Sequence, residues 1–217
     1  ALNQFCLHLF GFLSHNNFLI FQESHKRHHR YTTHHDLDLE VVQPQSFRRR
    51  DWLYYLTFNL PAMLTSYWTF VRHSAGRLEG EQEHRLFAED AELRQKVFNW
   101  ARVTLTGHVA LAALFIWQDW WPMLLLVTLP FYGTWLAMLC SYTQHMGLPA
   151  DHPDFRICCR SVHLNPVLSF LYFQMNYHIE HHMFPGVPFY NLRKLRKAIE
   201  SDLPEAPGLI KSWIGMV

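Results

Sequence analysis

The stretch that decides the fold runs from residue 103 to residue 140 and reads VTLTGHVALAALFIWQDWWPMLLLVTLPFYGTWLAMLC. Its only charged side chain is Asp119, which lies among three tryptophans and a proline. Uncharged runs of this length are typical of membrane-spanning helices, and a tryptophan-rich turn is typical of the membrane interface. The stretch therefore predicts a transmembrane helical hairpin over about residues 103–140. A buried hairpin of a soluble protein is the alternative.

Charges are segregated along the rest of the chain as well. No Asp, Glu, Lys or Arg occurs in residues 1–22 or 52–71. Over the whole chain, 19 Lys and Arg balance 18 Asp and Glu to give a net charge of +1. A nucleic-acid-binding protein usually carries a strong basic excess, so no nucleic-acid partner is expected.

The basic residues next to the hairpin predict its orientation. They lie at its two ends and not in its turn: Arg94, Lys96 and Arg102 before it, Arg156 and Arg160 after it. By the positive-inside rule, both ends face the cytoplasm. The segment 52–71 has arginines on both sides and Pro61 at its middle, which favours a bent interfacial or re-entrant helix over a full crossing.

Sixteen histidines are an unusual number for this chain, and two groups have the same spacing. Residues 25–29 read HKRHH and residues 178–182 read HIEHH. On a helix, positions i, i+3 and i+4 lie on one face, so each HxxHH box can direct two or three imidazoles at one point. Neutral imidazole is a common ligand of iron, zinc, copper and nickel. A third candidate lies in SYTQHMG at residues 141–147, and together the predicted metal ligands are His25, His28, His29, His145, His178, His181 and His182.

These motifs resemble those of a known family. The two boxes, the QHMG of residues 144–147 and the run NYHIEHHMFPGVP of residues 176–188 are similar to the membrane-bound fatty acid desaturase and hydroxylase superfamily of histidine-box, non-haem diiron enzymes. The resemblance covers about residues 14–199. It implies that the first HxxHH matches the family's second box, the later one its third box, and His145 the extra histidine before the third.

The resemblance implies a fold and a function. The expected fold is all-α, a single desaturase-like domain over residues 1–217 in which the hairpin and interfacial helices carry a cytoplasmic helical cap with the histidine boxes. The expected function is oxygen-dependent desaturation of the acyl chain of a lipid by two iron ions, supplied with electrons by a ferredoxin or a cytochrome. Breaking an unactivated C–H bond is beyond any side chain, so a cofactor must supply the oxidant.

Other functions stay open. The same superfamily contains fatty acid, carotenoid and alkane hydroxylases and ketolases, although the run QMNYHIEHH at residues 174–182 favours the acyl-lipid desaturase type. A metal transporter is less favoured because the boxes lie outside the uncharged runs, away from the membrane midplane where transport sites occur. A zinc hydrolase is less favoured because neither box reads HExxH or HxxEH.

The family's first box, HxxxH or HxxxxH, has no counterpart before His25, since His8 and His15 are seven residues apart. The chain also begins with Ala1 inside an uncharged run. The expectation is a fragment that lacks the first membrane helices and the first box, and that cannot hold a complete two-iron site.

Three sets of polar residues near the boxes carry further expectations. Glu180 and Gln144 are expected to orient metal ligands through hydrogen bonds, with solvent exposure as the alternative for Glu180. A surface cluster of acids and imidazoles is predicted for His34, His35, Asp36, Asp38 and Glu40. Residues 191–200 predict a basic amphipathic helix that faces anionic lipid or an acidic electron donor, with a solvated cationic face beside a membrane as the alternative.

Overall fold

The computed structural model describes residues 2–38, 40, 60–132 and 135–216, without the side chains of residues 60–63 and 129–132. These residues form α-helices and no β-strand, which confirms the prediction of an all-α fold. The α-helices are α1 Leu2–Leu13, α2 Phe18–Tyr31, α3 Leu60–Ser74, α4 Gly80–Phe87, α5 Ala91–Trp117, α6 Leu124–Tyr132, α7 Trp135–His145, α8 Phe155–Cys158, α9 Pro166–Leu171, α10 His178–Met183, α11 Leu192–Ala198 and α12 Leu209–Ile214. Short 3-10 turns lie at Trp121–Met123, Phe189–Asn191 and Glu200–Asp202.

The chain divides into two compact units. The first unit comprises Ala1–His25 and Thr57–Thr134, and the second comprises Lys26–Leu56 and Trp135–Val217. The boundary falls within α2, directly after His25.

The long helix α5 dominates the first unit. It begins after Asp90, whose side chain accepts a hydrogen bond from the backbone N–H of Leu93 and so caps the helix. Its first turns bury Val97 and Phe98 in a cluster with Phe87, whereas its later turns expose large apolar side chains such as Val109. Among the described helices, α5 alone is long and apolar enough to cross a membrane.

The chain turns where the tryptophan cluster predicted it. The helix α5 ends at Trp117, Asp119 adopts a left-handed backbone with φ of 56°, and helical structure resumes at Trp121. The described helices after the turn are α6 and α7. The transmembrane hairpin itself stays a prediction, as do the interfacial helices and the cytoplasmic cap.

The segment 52–71 is described only in part, because residues 52–59 lie outside the described residues. The helix α3 begins at Leu60, so that Pro61 lies in its first turn and not in its interior. A proline is tolerated at this position because the first N–H groups of a helix have no intrahelical partner. Pro61 therefore does not require a bend in α3. A re-entrant course of the segment 52–71 stays a prediction.

The second unit consists mostly of short helices joined by turns. The helix α7 ends at His145, and Gly147 follows it with φ of 71°, a left-handed conformation that commonly terminates helices. The guanidinium of Arg160 donates hydrogen bonds to the carbonyls of Thr143 and Met146 at this end. Apolar packing continues around it, where Met146 contacts Trp213 of α12. These contacts hold the end of α7, and with it His145, in place.

Candidate metal centre

Four imidazole rings meet in the interior of the second unit. They are brought there by three segments: His28 lies on α2, His145 is the last residue of α7, and His178 and His182 lie one turn apart on α10. Each residue is at most 6% exposed, and one ring nitrogen from each lies within 4.8 Å of the others. We call this set the four-histidine cluster.

The rings of the four-histidine cluster all present the same nitrogen to one another. The Nε2 atom of His182 lies 3.2 Å from that of His28 and 3.0 Å from that of His178. The Nε2 atom of His178 lies 2.8 Å from that of His145. Four Nε2 atoms therefore converge on one point.

Two of these rings have their other nitrogen, Nδ1, next to a group that can only accept a hydrogen bond. The Nδ1 atom of His28 lies 2.7 Å from Oδ2 of Asp38, and that of His145 lies 3.0 Å from the carbonyl oxygen of Cys158. A carboxylate and a carbonyl offer no proton, so each imidazole donates from Nδ1–H. In the neutral ring the Nε2 atom then carries a lone pair and no proton.

The same reasoning applies to His182, whose Nδ1 lies 3.1 Å from the hydroxyl oxygen of Thr32. The hydroxyl has one proton, and it is donated to the carbonyl of His28 at 2.7 Å. The oxygen of Thr32 therefore accepts from Nδ1–H of His182, whose Nε2 lone pair also faces the cluster. For His178, no side-chain or backbone partner of Nδ1 occurs among the described residues.

Three rings of the cluster, those of His145, His178 and His182, have pKa values that keep them neutral at physiological pH. Burial, followed by the nearby imidazole of His28, lowers the pKa of His145 to about 4. Burial, followed by the charges of neighbouring imidazoles, also holds the pKa values of His178 and His182 far below the usual range. Lone pairs that converge at about 3 Å repel one another unless a cation lies between them, so the donor set fits a nitrogen-preferring transition-metal ion.

A second group lies beside the first. The Nε2 atoms of His29 and His181 are 3.0 Å apart, and both residues are partly exposed. On α2, His25 precedes His29 by one turn, and each offers a ring nitrogen within 4.8 Å of the other. We call His25, His29 and His181 the three-histidine group.

Each box thus directs two imidazoles at one set, as its spacing predicts, and its remaining imidazole at the other set. Consecutive side chains on a helix point about 100° apart, and the two adjacent histidines of each box accordingly fall in different sets. The first box contributes its i, i+4 pair to the three-histidine group and His28 to the four-histidine cluster. The later box does the reverse: its i, i+4 pair joins the cluster and His181 joins the other group. All seven predicted residues fall in one of the two sets, and their role as ligands stays a prediction.

The predicted surface cluster of residues 34–40 is only partly at the surface. His34, His35 and Asp36 are exposed, whereas Asp38 is 4% exposed. Burial raises the pKa of Asp38, but hydrogen bonds from His28 and from two backbone N–H groups outweigh this effect and hold the pKa below its usual value. Asp38 is therefore a buried carboxylate of the site.

Among the residues that the structure describes, no histidine side chain is hydrogen-bonded to Glu180, which is also shielded from solvent. Its side chain is fully buried, and its two oxygens accept hydrogen bonds from the hydroxyl of Ser161 at 2.6 Å and the guanidinium of Arg196 at 2.8 Å. The Ser161 oxygen in turn accepts from the backbone N–H of Ile179. Glu180 thus anchors α10 from behind, and the expected orientation of a ligand by this residue is wrong.

The side chain of Gln144 binds a backbone carbonyl and not a histidine ring. Its side-chain amide donates to the carbonyl of Met175 at 3.1 Å, next to the segment that leads into α10. This bond joins the two parts of the chain that carry His145 and His178, and it does not reach either imidazole.

One comparison with known proteins gave a match. The profile of the family described as Fatty acid desaturase matches residues 1–213. The curated proteins and the solved structures gave no significant match.

Proposed function

This chain belongs to the fatty acid desaturase family, and on that premise we propose that it is an oxidoreductase that desaturates the acyl chain of a lipid at two histidine-bound iron ions. The observation that supports the proposal most is the convergence of four Nε2 atoms in the four-histidine cluster. Neutral imidazoles in this arrangement suit Fe²⁺ among other divalent ions.

The residues divide between two ion positions. In this proposal the four-histidine cluster holds one ion, and the three-histidine group contributes ligands to the second. Bound iron supplies the oxidant for an unactivated C–H bond. The overall reaction removes one hydrogen atom from each of two adjacent carbons. Together with two protons and two electrons from a donor, these hydrogens reduce O₂ to two water molecules.

The protein groups around the ions have separate tasks. The groups that accept a hydrogen bond from Nδ1–H keep the Nε2 lone pairs directed at the ion. Burial keeps the imidazoles of His145, His178 and His182 neutral and thus able to bind a cation. The ring centroid of Phe155 lies 5.4 Å from that of His182, and in this proposal Phe155 limits the access of water to the cluster.

The proposed partners follow from two surfaces. Exposed apolar side chains on α5, among them Val103 and Val109, support insertion in a membrane, from which an acyl lipid enters. Exposed cations on α11, namely Arg193, Lys194 and Lys197, support an acidic electron donor such as a ferredoxin or a cytochrome. We place the histidine boxes on the cytoplasmic side, on the basis of the positive-inside rule.

The test of the activity is acyl-chain profiling of a host that expresses the intact protein, its His178→Ala variant and its His84→Ala variant. His84 is exposed and serves as the matched control. We expect a new unsaturated acyl chain with the unsubstituted protein and with His84→Ala, and none with His178→Ala. A hydroxylated or ketonic product would favour the hydroxylase or ketolase alternative, and an unchanged acyl profile in all three strains would overturn desaturation.

Metal analysis separates the proposal from the zinc and transport alternatives. We expect iron in the purified protein and a product that requires O₂. One zinc ion per chain, with no product that depends on O₂, would contradict the proposal.

A further inference from the structure

We propose that Asp38 is a positioning residue of the metal centre, which fixes the tautomer and the ring plane of His28. This inference rests on the proposed function in one respect, since it takes His28 to be a metal ligand. Asp38 lies outside both histidine boxes, ten residues beyond His28 along the chain.

Backbone N–H groups hold the carboxylate of Asp38 independently of its contact with the imidazole of His28. Its Oδ2 atom accepts the backbone N–H of Thr33 at 2.7 Å, and its Oδ1 atom accepts that of Glu40 at 3.1 Å. The same Oδ2 atom lies 2.7 Å from Nδ1 of His28. Because local backbone groups hold both oxygens, the direction in which Oδ2 meets His28 is set by the turn.

In the four-histidine cluster, the groups that accept a hydrogen bond from Nδ1–H differ in charge. The acceptor for His28 is a carboxylate, whereas those for His145 and His182 are a carbonyl and a hydroxyl. An anionic acceptor draws the Nδ1 proton most strongly and leaves the most electron density on Nε2. His28 is therefore the strongest donor that this cluster offers to a cation.

Loss of the carboxylate would allow a competing state. The Nε2 atoms of His28 and His182 are 3.2 Å apart, which is within hydrogen-bond distance. If His28 carried its proton on Nε2, this proton would be donated to His182, and one hydrogen bond would occupy the lone pairs that a cation needs. Asp38 disfavours this state because it requires the proton on Nδ1.

The experiment measures Co²⁺ binding by the intact protein after metal removal, with the d–d absorption bands as a report of ligand geometry. We expect Asp38→Asn to weaken Co²⁺ binding about 10- to 100-fold and to shift the d–d bands. Asn keeps the size of the side chain but replaces one acceptor oxygen with a donor. The matched control is Asp36→Asn, an exposed aspartate two residues earlier, for which affinity and spectrum should equal those of the unsubstituted protein.

A merely structural role makes a different prediction. It would lower the melting temperature of Asp38→Asn and leave the Co²⁺ affinity and spectrum of the folded protein unchanged, and that result would overturn the inference. If Asp38→Asn does not fold, Asp38→Glu decides, because it keeps the charge and moves the carboxylate by one methylene. We expect a shifted spectrum for it, and an unaltered spectrum and affinity would overturn the inference. If the unsubstituted protein binds no Co²⁺, the metal centre itself is wrong.

Discussion

At the scale of single residues, adjacent histidines in the chain belong to different parts of the metal centre. His181 and His182 are chain neighbours, but the first is partly exposed next to His29 and the second is 2% exposed in the four-histidine cluster. Their replacement should therefore have different effects.

We expect His182→Ala to abolish Co²⁺ binding at the four-histidine cluster, because it removes the Nε2 atom that lies near those of both His28 and His178. His181→Ala should keep that site and weaken binding only at the three-histidine group. Equilibrium dialysis with Co²⁺, followed by absorption spectra of the bound ion, measures both. Indistinguishable stoichiometry and spectra in the two variants would contradict the division into two sets.

A second residue-scale prediction concerns Arg196 and Glu180. The ion pair is 14% exposed on the arginine side and fully buried on the glutamate side, so it is screened less than a surface pair. We expect Arg196→Gln to lower the free energy of unfolding by about 1.5–3 kcal/mol, which corresponds to a loss of roughly 3–12 °C in melting temperature for a chain of this size.

The matched control is Arg193→Gln, an exposed arginine on the same helix, which should shift the melting temperature by no more than about 1 or 2 °C. Thermal unfolding followed by circular dichroism compares the two variants. Equal shifts in the melting temperatures of the two variants would show that the ion pair of Arg196 with Glu180 does not stabilise the fold.

At the scale of elements, the helices differ in what determines their ends. The short helix α10, six residues long, is held by Glu180 and Ser161, since a helix of this length is not stable by itself. The long helix α5 starts at a local signal, the cap by Asp90, and ends at the tryptophan-rich turn.

We expect Asp90→Ala to lower the free energy of unfolding by about 1 kcal/mol, because the N–H of Leu93 loses the acceptor at 2.8 Å. Glu89→Ala removes an exposed acid one residue earlier and serves as the control. Chemical denaturation followed by circular dichroism gives both values. If Glu89→Ala destabilised the protein as much, the general loss of negative charge near the helix, and not the cap, would be responsible.

At the scale of the whole molecule, the proposed membrane topology can be tested by labelling. In a background with the four cysteines replaced by serine, Gln118→Cys places a thiol in the exposed turn after α5, and Ala150→Cys places one in the exposed segment after α7. A membrane-impermeant maleimide should label the first in intact cells and the second only after permeabilisation, because the flanking arginines favour the cytoplasm. Equal labelling of both thiols in intact cells would contradict the hairpin.

Much of the local structure was predictable because it depends on neighbours along the chain. The turn at Asp119 and the helical form of both histidine boxes follow from turn residues and helical spacing, and the all-α class follows from the family resemblance. Thr32 was also within reach of the sequence, since it lies one helical turn after His28. The seven histidines follow from their spacing and from the family resemblance.

The rest depended on contacts between residues far apart in the chain. Asp38 reads as a surface acid in the sequence, and only the turn that buries it brings its carboxylate to His28. Glu180 reads as a ligand-orienting or solvated acid, and only the packing of α10 against Ser161 and Arg196 turns it away from the imidazoles.

By itself, therefore, the sequence determined which residue types were present at helical spacing, and hence the helices and the candidate ligands. The tertiary structure alone decided which nitrogen each imidazole presents and to which set it belongs. The physical reason is that spacing along a helix defines relative directions within one element, whereas the tautomer and position of a ring depend on the acceptor that another segment brings to its Nδ1 atom.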